Sequence, residues 1–286
     1  MGSAKNVRQR ATVIVVMLCM ASGLAWSLAQ HASARGAASG SVAATQPGPV
    51  APHPLTGSPA RAATTAAAAT NVHCGQVITA SVTLNGDLDC PSMAGSYAVI
   101  VSGSTAVTLN LNGHTVSVQS SDSGILALGP SDIVENGFVT GGNHGVDLQG
   151  SKETATKLIV TGSVYGINDF GSGSKVTANT ATNDGTAITA DGIGGTISGN
   201  RAASNSWGIY VERPATVTGN FSDGNVYEGI YVVTAGSTFT SNSLDNNGFD
   251  GFFGGGLASV DGGGNTAHGN GYTVGASDQC YGITCS

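Results

Sequence analysis

Lysine and arginine are scarce in this chain, which has 10 of them against 17 aspartates and glutamates. Five of the ten precede residue 72, whereas every acidic residue follows it, so residues 72–286 carry five basic against 17 acidic residues, a formal charge of −12. Nucleic-acid binding depends on clustered Lys and Arg that neutralise phosphates. The composition therefore argues against a nucleic-acid partner.

Long apolar runs are also lacking, except at residues 11–29. Basic residues precede this run, and the small residues Ala32-Ser33-Ala34 follow it in the manner of a cleavage site. The order predicts a signal peptide over residues 1–34 and a secreted mature protein without membrane contact. An uncleaved anchor is the alternative, because about 20 apolar residues span a bilayer.

Acidic residues and regular apolar spacing are both missing from residues 35–71, where Ala, Ser, Thr, Pro and Gly dominate. Such a segment cannot bury enough apolar surface to offset the entropy lost on ordering. We expect a disordered linker here, followed by one folded domain at residues 72–286.

Cysteines number five, and the first lies inside the predicted signal peptide. The other four form two close pairs at the two ends of the domain, Cys74 with Cys90 and Cys280 with Cys285. Exported proteins oxidise such pairs. A disulfide needs Cα atoms within about 7 Å, so an elongated domain excludes end-to-end pairing and predicts the two local bridges.

A short motif with one period is present instead of helical periodicity: GILAL at 124, GVDLQ at 145, GINDF at 166, AITAD at 187, GIYVE at 208, GIYVV at 229 and GFFGG at 251. Units of about 21 residues, rich in Val, Ile, Thr, Gly and Asn, favour short strands and tight turns. The residue after the leading Gly is apolar in all seven units, which predicts a buried ladder.

A second strand is predicted some ten residues later in each unit: DIV at 132, LIV at 158, KVT at 175, TIS at 196, TVT at 216, TFT at 238 and SVD at 259. Asparagines follow it, and we interpret them as a structural ladder of stacked amides: Asn136, Asn179, Asn200, Asn220, Asn242 and Asn265. The whole pattern predicts an all-β, single-stranded parallel β-helix solenoid of about 8 coils. Capped coil edges predict a monomer.

TLNLNGHTVSV at 108–118 and GIYVERPATVTGNFSDGN from 208 resemble the right-handed parallel β-helix repeats of the pectin-lyase-like superfamily. The resemblance covers about residues 72–286 and implies a right-handed coil. It implies no single activity, because that family includes lyases, hydrolases, uronan epimerases, phage adhesins and NosD-like copper-maturation factors. The paired-aspartate and Gly-His-Gly signatures of polygalacturonases and the Asp-Pro-His-Asp motif of mannuronan epimerases are absent from the sequence.

Aromatic residues make up only 6% of the chain, yet many fall in three columns that we expect to face solvent on one flank. These flank columns are the residue before the leading Gly and the second and fourth residues after it. Exposed rings suit sugar faces, and nearby carboxylates and amides bond to hydroxyls. We predict that an extracellular polysaccharide binds to residues of these columns: Trp207, Tyr210, Tyr231, Asp147, His144 and Phe170. The alternative is a structural surface protein without a carbohydrate site.

Asp191 and Glu212 share one flank column on successive coils, so their backbones should lie about 4.8 Å apart. Repulsion would raise the pKa of one carboxyl, which leaves a proton donor beside a carboxylate, as in retaining glycoside hydrolysis. The enzyme hypothesis makes these two residues catalytic in a glycoside hydrolase or polysaccharide lyase. The alternatives are a calcium ion held by the pair and two solvated surface acids. The histidines do not cluster, so we predict no other metal or cofactor.

Overall fold

A computed structural model describes residues 69–92, 96–271 and 279–286. All regular elements of these residues are short β-strands that stack in parallel, and the chain winds through about nine turns with a repeat near 21 residues. The predicted all-β parallel solenoid is therefore confirmed. The predicted signal peptide and most of the predicted linker lie outside the described residues.

Sheet 1 collects the first strand of each coil and has ten strands. They are Gln76–Ile78, Tyr97–Val101, Ser123–Ala127, His144–Leu148, Tyr165–Asp169, Thr186–Ala190, Trp207–Val211, Ile230–Val232, Phe252–Phe253 and Cys280–Tyr281.

Sheet 2 has 17 strands, because two further strands of each coil join it. They are Ala69–Thr70, Val82–Leu84, Leu88–Asp89, Thr108–Asn110, Thr115–Ser117, Ile133–Thr140, Thr154–Thr161, Lys175–Thr177, Thr180–Thr182, Thr196–Ser198, Arg201–Ala203, Thr216–Thr218, Phe221–Asp223, Thr238–Thr240, Ser243–Asp245, Val260–Asp261 and Thr266–His268. Ala69–Thr70, at the end of the predicted linker, pair with Thr83 and Leu84.

Typical coils thus contain three strands, whereas the sequence pattern predicted two. The LIV segment at 158 was wrongly predicted as the second strand of its coil, because Ile159 pairs with Thr180, in a third ladder. The second strand of that coil is formed by residues 154–156, which pair with 175–177. Lys157 separates the two halves with a φ of 54°, in the left-handed region that bends the chain at a corner.

The predicted number of about 8 coils agrees closely with the structure, which has about nine turns, but the turns near the two ends depart from the 21-residue repeat. Gln76 pairs with Val99, and Val99 pairs with Ile125, both at separations longer than 21 residues. The N-terminal coils are therefore longer than the 21-residue repeat, and the repeat motif does not align with them. The last coil is longer still, since Phe252 pairs with Cys280.

The solenoid interior is lined by apolar side chains from all three strands of each coil. The column after the leading Gly is fully or almost fully buried in all seven units, as predicted: Ile125, Val146, Ile167, Ile188, Ile209, Ile230 and Phe252. A Cβ on Gly208 would clash with the carbonyl oxygen of Gly229 in the next coil, so close stacking favours glycine there. Burial of this column and of the other interior columns removes apolar surface from water and stabilises the fold.

The predicted asparagine ladder is confirmed from Asn179 onward. The backbone N–H of Asn179 donates to Asn200 Oδ1 at 2.9 Å, and Asn200 Nδ2 donates to the Val176 carbonyl at 2.8 Å. The same pattern continues through Asn220, Asn242 and Asn265. Asn136 was wrongly included, because it lies one position earlier in its coil, at the left-handed corner with a φ of 61°.

A second buried amide ladder lies at the corner that leads into sheet 1, and the sequence analysis overlooked it. Its asparagines are Asn205, Asn225, Asn247 and Asn270, and each backbone N–H donates to the amide oxygen of the next coil. Asp184 begins the ladder, and Gln279 closes it by accepting from the Asn270 N–H at 2.7 Å. The ladders provide the corners with hydrogen bonds that turns otherwise leave unmade.

The two predicted disulfides are confirmed at the ends of the described solenoid. The Cα atoms are 5.6 Å apart in Cys74–Cys90 and 6.1 Å apart in Cys280–Cys285. Bridges of this kind are typical of an oxidising environment. No helix among the described residues has the length and apolar character needed to cross a membrane.

Candidate functional site

The flank columns lie on the outer side of sheet 1, and their predicted vertical alignment is confirmed. Tyr210 pairs with Tyr231 and Tyr231 with Phe253 in the strand register. Stacked strands place equivalent side chains about 4.8 Å apart. Residues that are 21 or 22 positions apart in sequence are therefore direct neighbours.

Four aromatic rings form a file along the last coils. The ring centroids are 5.2 Å apart for Tyr210 and Tyr231, 5.4 Å for Tyr231 and Phe253, and 5.5 Å for Phe253 and Tyr281. All three pairs are stacked. Tyr281 is 52% exposed, whereas Tyr231 is 9% exposed, so the file is buried in its middle and open at its end.

A second file of aromatic rings lies beside the first. The ring centroids of Trp207 and Tyr227 are 4.8 Å apart, and Tyr227 stacks on Phe249 with a centroid distance of 5.6 Å. The indole also meets Tyr231 edge-on at 5.1 Å and Tyr210 at 5.9 Å. We call these seven rings the aromatic surface: Trp207, Tyr210, Tyr227, Tyr231, Phe249, Phe253 and Tyr281. Phe249 and Tyr281 were missed because they fall outside the repeat positions that define the flank columns.

The opposite end of the flank is polar, and Asp147 is its centre. Asp147 accepts hydrogen bonds from Tyr97 Oη at 2.7 Å, Gln149 Nε2 at 2.8 Å and Asn168 Nδ2 at 3.3 Å. It is only 1% exposed, and Leu126, Asn168, Thr189 and Tyr231 of the same column are also buried. The expectation that this column faces solvent was therefore wrong for five of its seven residues. Tyr97 and Gln149, which hold the Asp147 carboxylate, also cover it. Burial and the bond to Asp147 raise the pKa of Tyr97, which donates as a neutral phenol.

His144 and Phe170 flank this polar centre. The imidazole of His144 stacks on Tyr165 at 5.3 Å, and its Nδ1 lies 3.4 Å from Ser123 Oγ. Phe170 is 47% exposed, in the same column as Asp191 and two coils before Trp207. The predicted binding residues are thus on one flank, but only Trp207, Tyr210 and Tyr231 belong to the aromatic surface.

Asp191 and Glu212 lie between the polar and aromatic ends. Their backbone N–H groups donate to Asp169 and Ala190 in the preceding coils, which places both at the same step of the repeat. Arg213 Nε donates to Asp191 Oδ1 at 3.2 Å. Partial burial and the neighbouring Asp191 raise the pKa of Glu212, while Arg213 lowers it. Glu212 therefore holds its proton to a higher pH than an isolated glutamate does.

The described residues contain no group of three or more His, Cys, Asp or Glu side chains arranged to hold a metal ion. Comparisons of the chain with protein-family models, with curated proteins and with solved structures found no match. The flank of sheet 1 presents a polar end, a pair of acids and a run of rings along one axis.

Proposed function

We propose that this protein is secreted and binds an extracellular polysaccharide along the flank of sheet 1. The observation that carries the proposal is the aromatic surface, where seven of the chain's 16 Trp, Tyr and Phe residues meet on one side of the solenoid. Partly exposed rings offer flat apolar faces to sugar carbons, and adjacent carboxylates and amides accept from hydroxyls. A row of equivalent subsites suits a repeating polymer.

Secretion is supported by the disulfides and by the sequence of residues 1–34. The resemblance to pectin-lyase-like repeats supports a right-handed coil, and that superfamily includes proteins that act on polysaccharides as well as proteins that do not.

Binding is tested with affinity electrophoresis against a broad panel of plant, fungal and bacterial polysaccharides. We expect wild type to be retarded by at least one polymer and Trp207→Ala to lose about 10-fold in affinity, since a buried aromatic contact contributes about 1–2 kcal/mol. Phe221→Ala is the matched control, because Phe221 is 56% exposed on sheet 2, away from the flank. Retardation of wild type by no polymer would reject the proposal.

The catalytic version of this proposal assigns hydrolysis to the acid pair. Glu212 protonates the glycosidic oxygen, and Asp191 attacks the sugar carbon as the nucleophile, after which water releases the glycosyl group. Arg213 holds the attacking carboxylate in place. Glu212→Gln should abolish turnover while binding persists. Wild type that binds a polymer but releases no reducing ends from it is a binding protein only.

A structural role is the second candidate, and the burial of Tyr231 favours it. Rings stacked in register stabilise a parallel sheet whether or not a ligand is present. This candidate predicts that Trp207→Ala lowers the melting temperature, while wild type binds no glycan. The same variant therefore separates the two functions.

A further inference from the structure

The flank columns have a one-sided charge distribution. They contain five carboxylic acids and neither lysine nor arginine: Asp147, Asp191, Glu212, Glu228 and Asp250. Asp191, Glu212 and Asp250 are all at least partly exposed, so three of the acids border the surface that a ligand would contact. Apart from the imidazole of His144, no side chain in these columns can offer a positive charge to an anionic ligand.

The five basic residues after position 71 do not correct this imbalance. Arg213, which follows Glu212, already forms an ion pair with Asp191. Arg201 lies in sheet 2 and pairs with Asp223 at 3.6 Å. Lys175 is in sheet 2 as well, and Lys152 and Lys157 stand at left-handed corners. A ligand on the flank would therefore meet more carboxylates than cations.

We propose that this flank selects glycans that carry no carboxylate or sulfate group, an inference that rests on the polysaccharide-binding function proposed above. Proteins recognise sugar carboxylates and sulfates with Arg and Lys, often in bidentate geometry. Acidic sugars on this flank would instead be placed beside like charges, which opposes association. Neutral sugars gain from the same acids, because hydroxyl groups donate charge-assisted hydrogen bonds to carboxylates.

Matched pairs of polymers test the selection, since each pair differs in charge and shares a backbone. Suitable pairs are hydroxyethyl cellulose with carboxymethyl cellulose, and methyl-esterified with de-esterified polygalacturonate. At pH 8 and low salt we expect the uncharged member of a bound pair to bind about 10-fold more tightly. The ratio should shrink in 1 M NaCl, where the Debye length falls to about 3 Å.

A double variant tests whether the acids are the cause. Asp191→Asn with Glu212→Gln should reduce the ratio of the two affinities several-fold toward one, whatever it does to either affinity alone. Asp223→Asn is the control, because this acid pairs with Arg201 on sheet 2 and should leave the ratio unchanged.

The outcomes separate this inference from the proposed function. Tighter binding of the charged member, with or without calcium, would overturn charge selection and leave polysaccharide binding intact. Binding of the charged member only when calcium is added would show that the acids bridge to uronates through the metal, which also overturns it. Retardation by no polymer, in these pairs or in the broad panel, would reject the binding function itself.

Discussion

Three acidic side chains are almost wholly buried in this solenoid: Glu153, Asp169 and Asp184. Both carboxyl oxygens of Glu153 and of Asp169, and Oδ2 of Asp184, lack a hydrogen bond of good geometry. Burial raises the pKa of Glu153 to about 9 and those of Asp169 and Asp184 to about 7, although nearby backbone amides partly oppose it. These residues favour the folded state when they are protonated.

Asp184 stands where the ladder otherwise has asparagine. Its Oδ1 accepts from the Ser163 N–H at 2.8 Å, as an asparagine oxygen would. The equivalent nitrogen of Asn205 donates to the Ala181 carbonyl and to Asn225 Oδ1, both of which are acceptors. By analogy, Oδ2 of an ionised Asp184 faces groups that can only accept a hydrogen bond. A protonated carboxyl group or an asparagine amide at this position can donate a hydrogen bond to them.

Asp184→Asn should therefore stabilise the protein by about 1–3 kcal/mol at pH 8, the usual cost of an unsatisfied buried polar group. The folded pKa is raised, so the contribution of Asp184 is complete below about pH 4 and is lost as pH rises through about 7. The gain should accordingly shrink at pH 5. Urea unfolding at both pH values measures it, with Asp223→Asn as a surface control. An equal gain at both pH values would contradict this account.

At the scale of elements, the corners decide how the strands are divided. Residues with positive φ recur at most corners, as at Lys152, Lys157 and Gly162 within one coil. The sequence predicted the first and second strands well, because apolar residues alternate along them. It missed the third strand, and at Lys157 and Ala178 the left-handed corner before that strand gives no turn signal of the kind that glycine or asparagine gives.

Removal of one ladder amide tests the importance of the corners. Asn200→Ala leaves the Asn179 N–H and the Val176 carbonyl without their partners in a buried corner, so we expect a loss of about 2–4 kcal/mol. Asn136→Gly is the comparison, because glycine tolerates the left-handed conformation and Asn136 lies outside the ladder. Thermal unfolding of both variants measures the difference. Similar melting temperatures would show that the ladder contributes little.

The described solenoid is a one-dimensional stack, in which each coil contacts mainly its neighbours and each end coil of the described part has a neighbour on one side. The disulfides lie at these ends, where fraying would begin. Cys280–Cys285 also holds the strand that carries Tyr281, the outermost ring of the aromatic surface. Stability of the C-terminal coil and completeness of the flank are therefore linked.

Cys280→Ser with Cys285→Ser should release the last coil while the central coils remain folded. We expect faster hydrogen exchange at residues 279–286 and 252–253, with central strands such as Ile188 unchanged, because the effect passes only between adjacent coils. Exchange mass spectrometry of the variant beside wild type provides the measurement. Uniform acceleration along the chain would instead indicate one cooperative unit.

Light scattering of the wild-type protein tests the predicted monomer.

The sequence by itself determined the repeat, the parallel stacking, the buried ladder after the leading glycine and both disulfides. Each depends on spacing along the chain, and stacking converts that spacing directly into vertical contact. Only the tertiary structure decided that each typical coil has three strands, that Asp147 is covered by Tyr97 and Gln149, that Arg213 pairs with Asp191, and that two files of rings merge around Trp207. Those contacts depend on how far each corner bends and on how long side chains lie across neighbouring columns, and neither quantity has a period in the sequence.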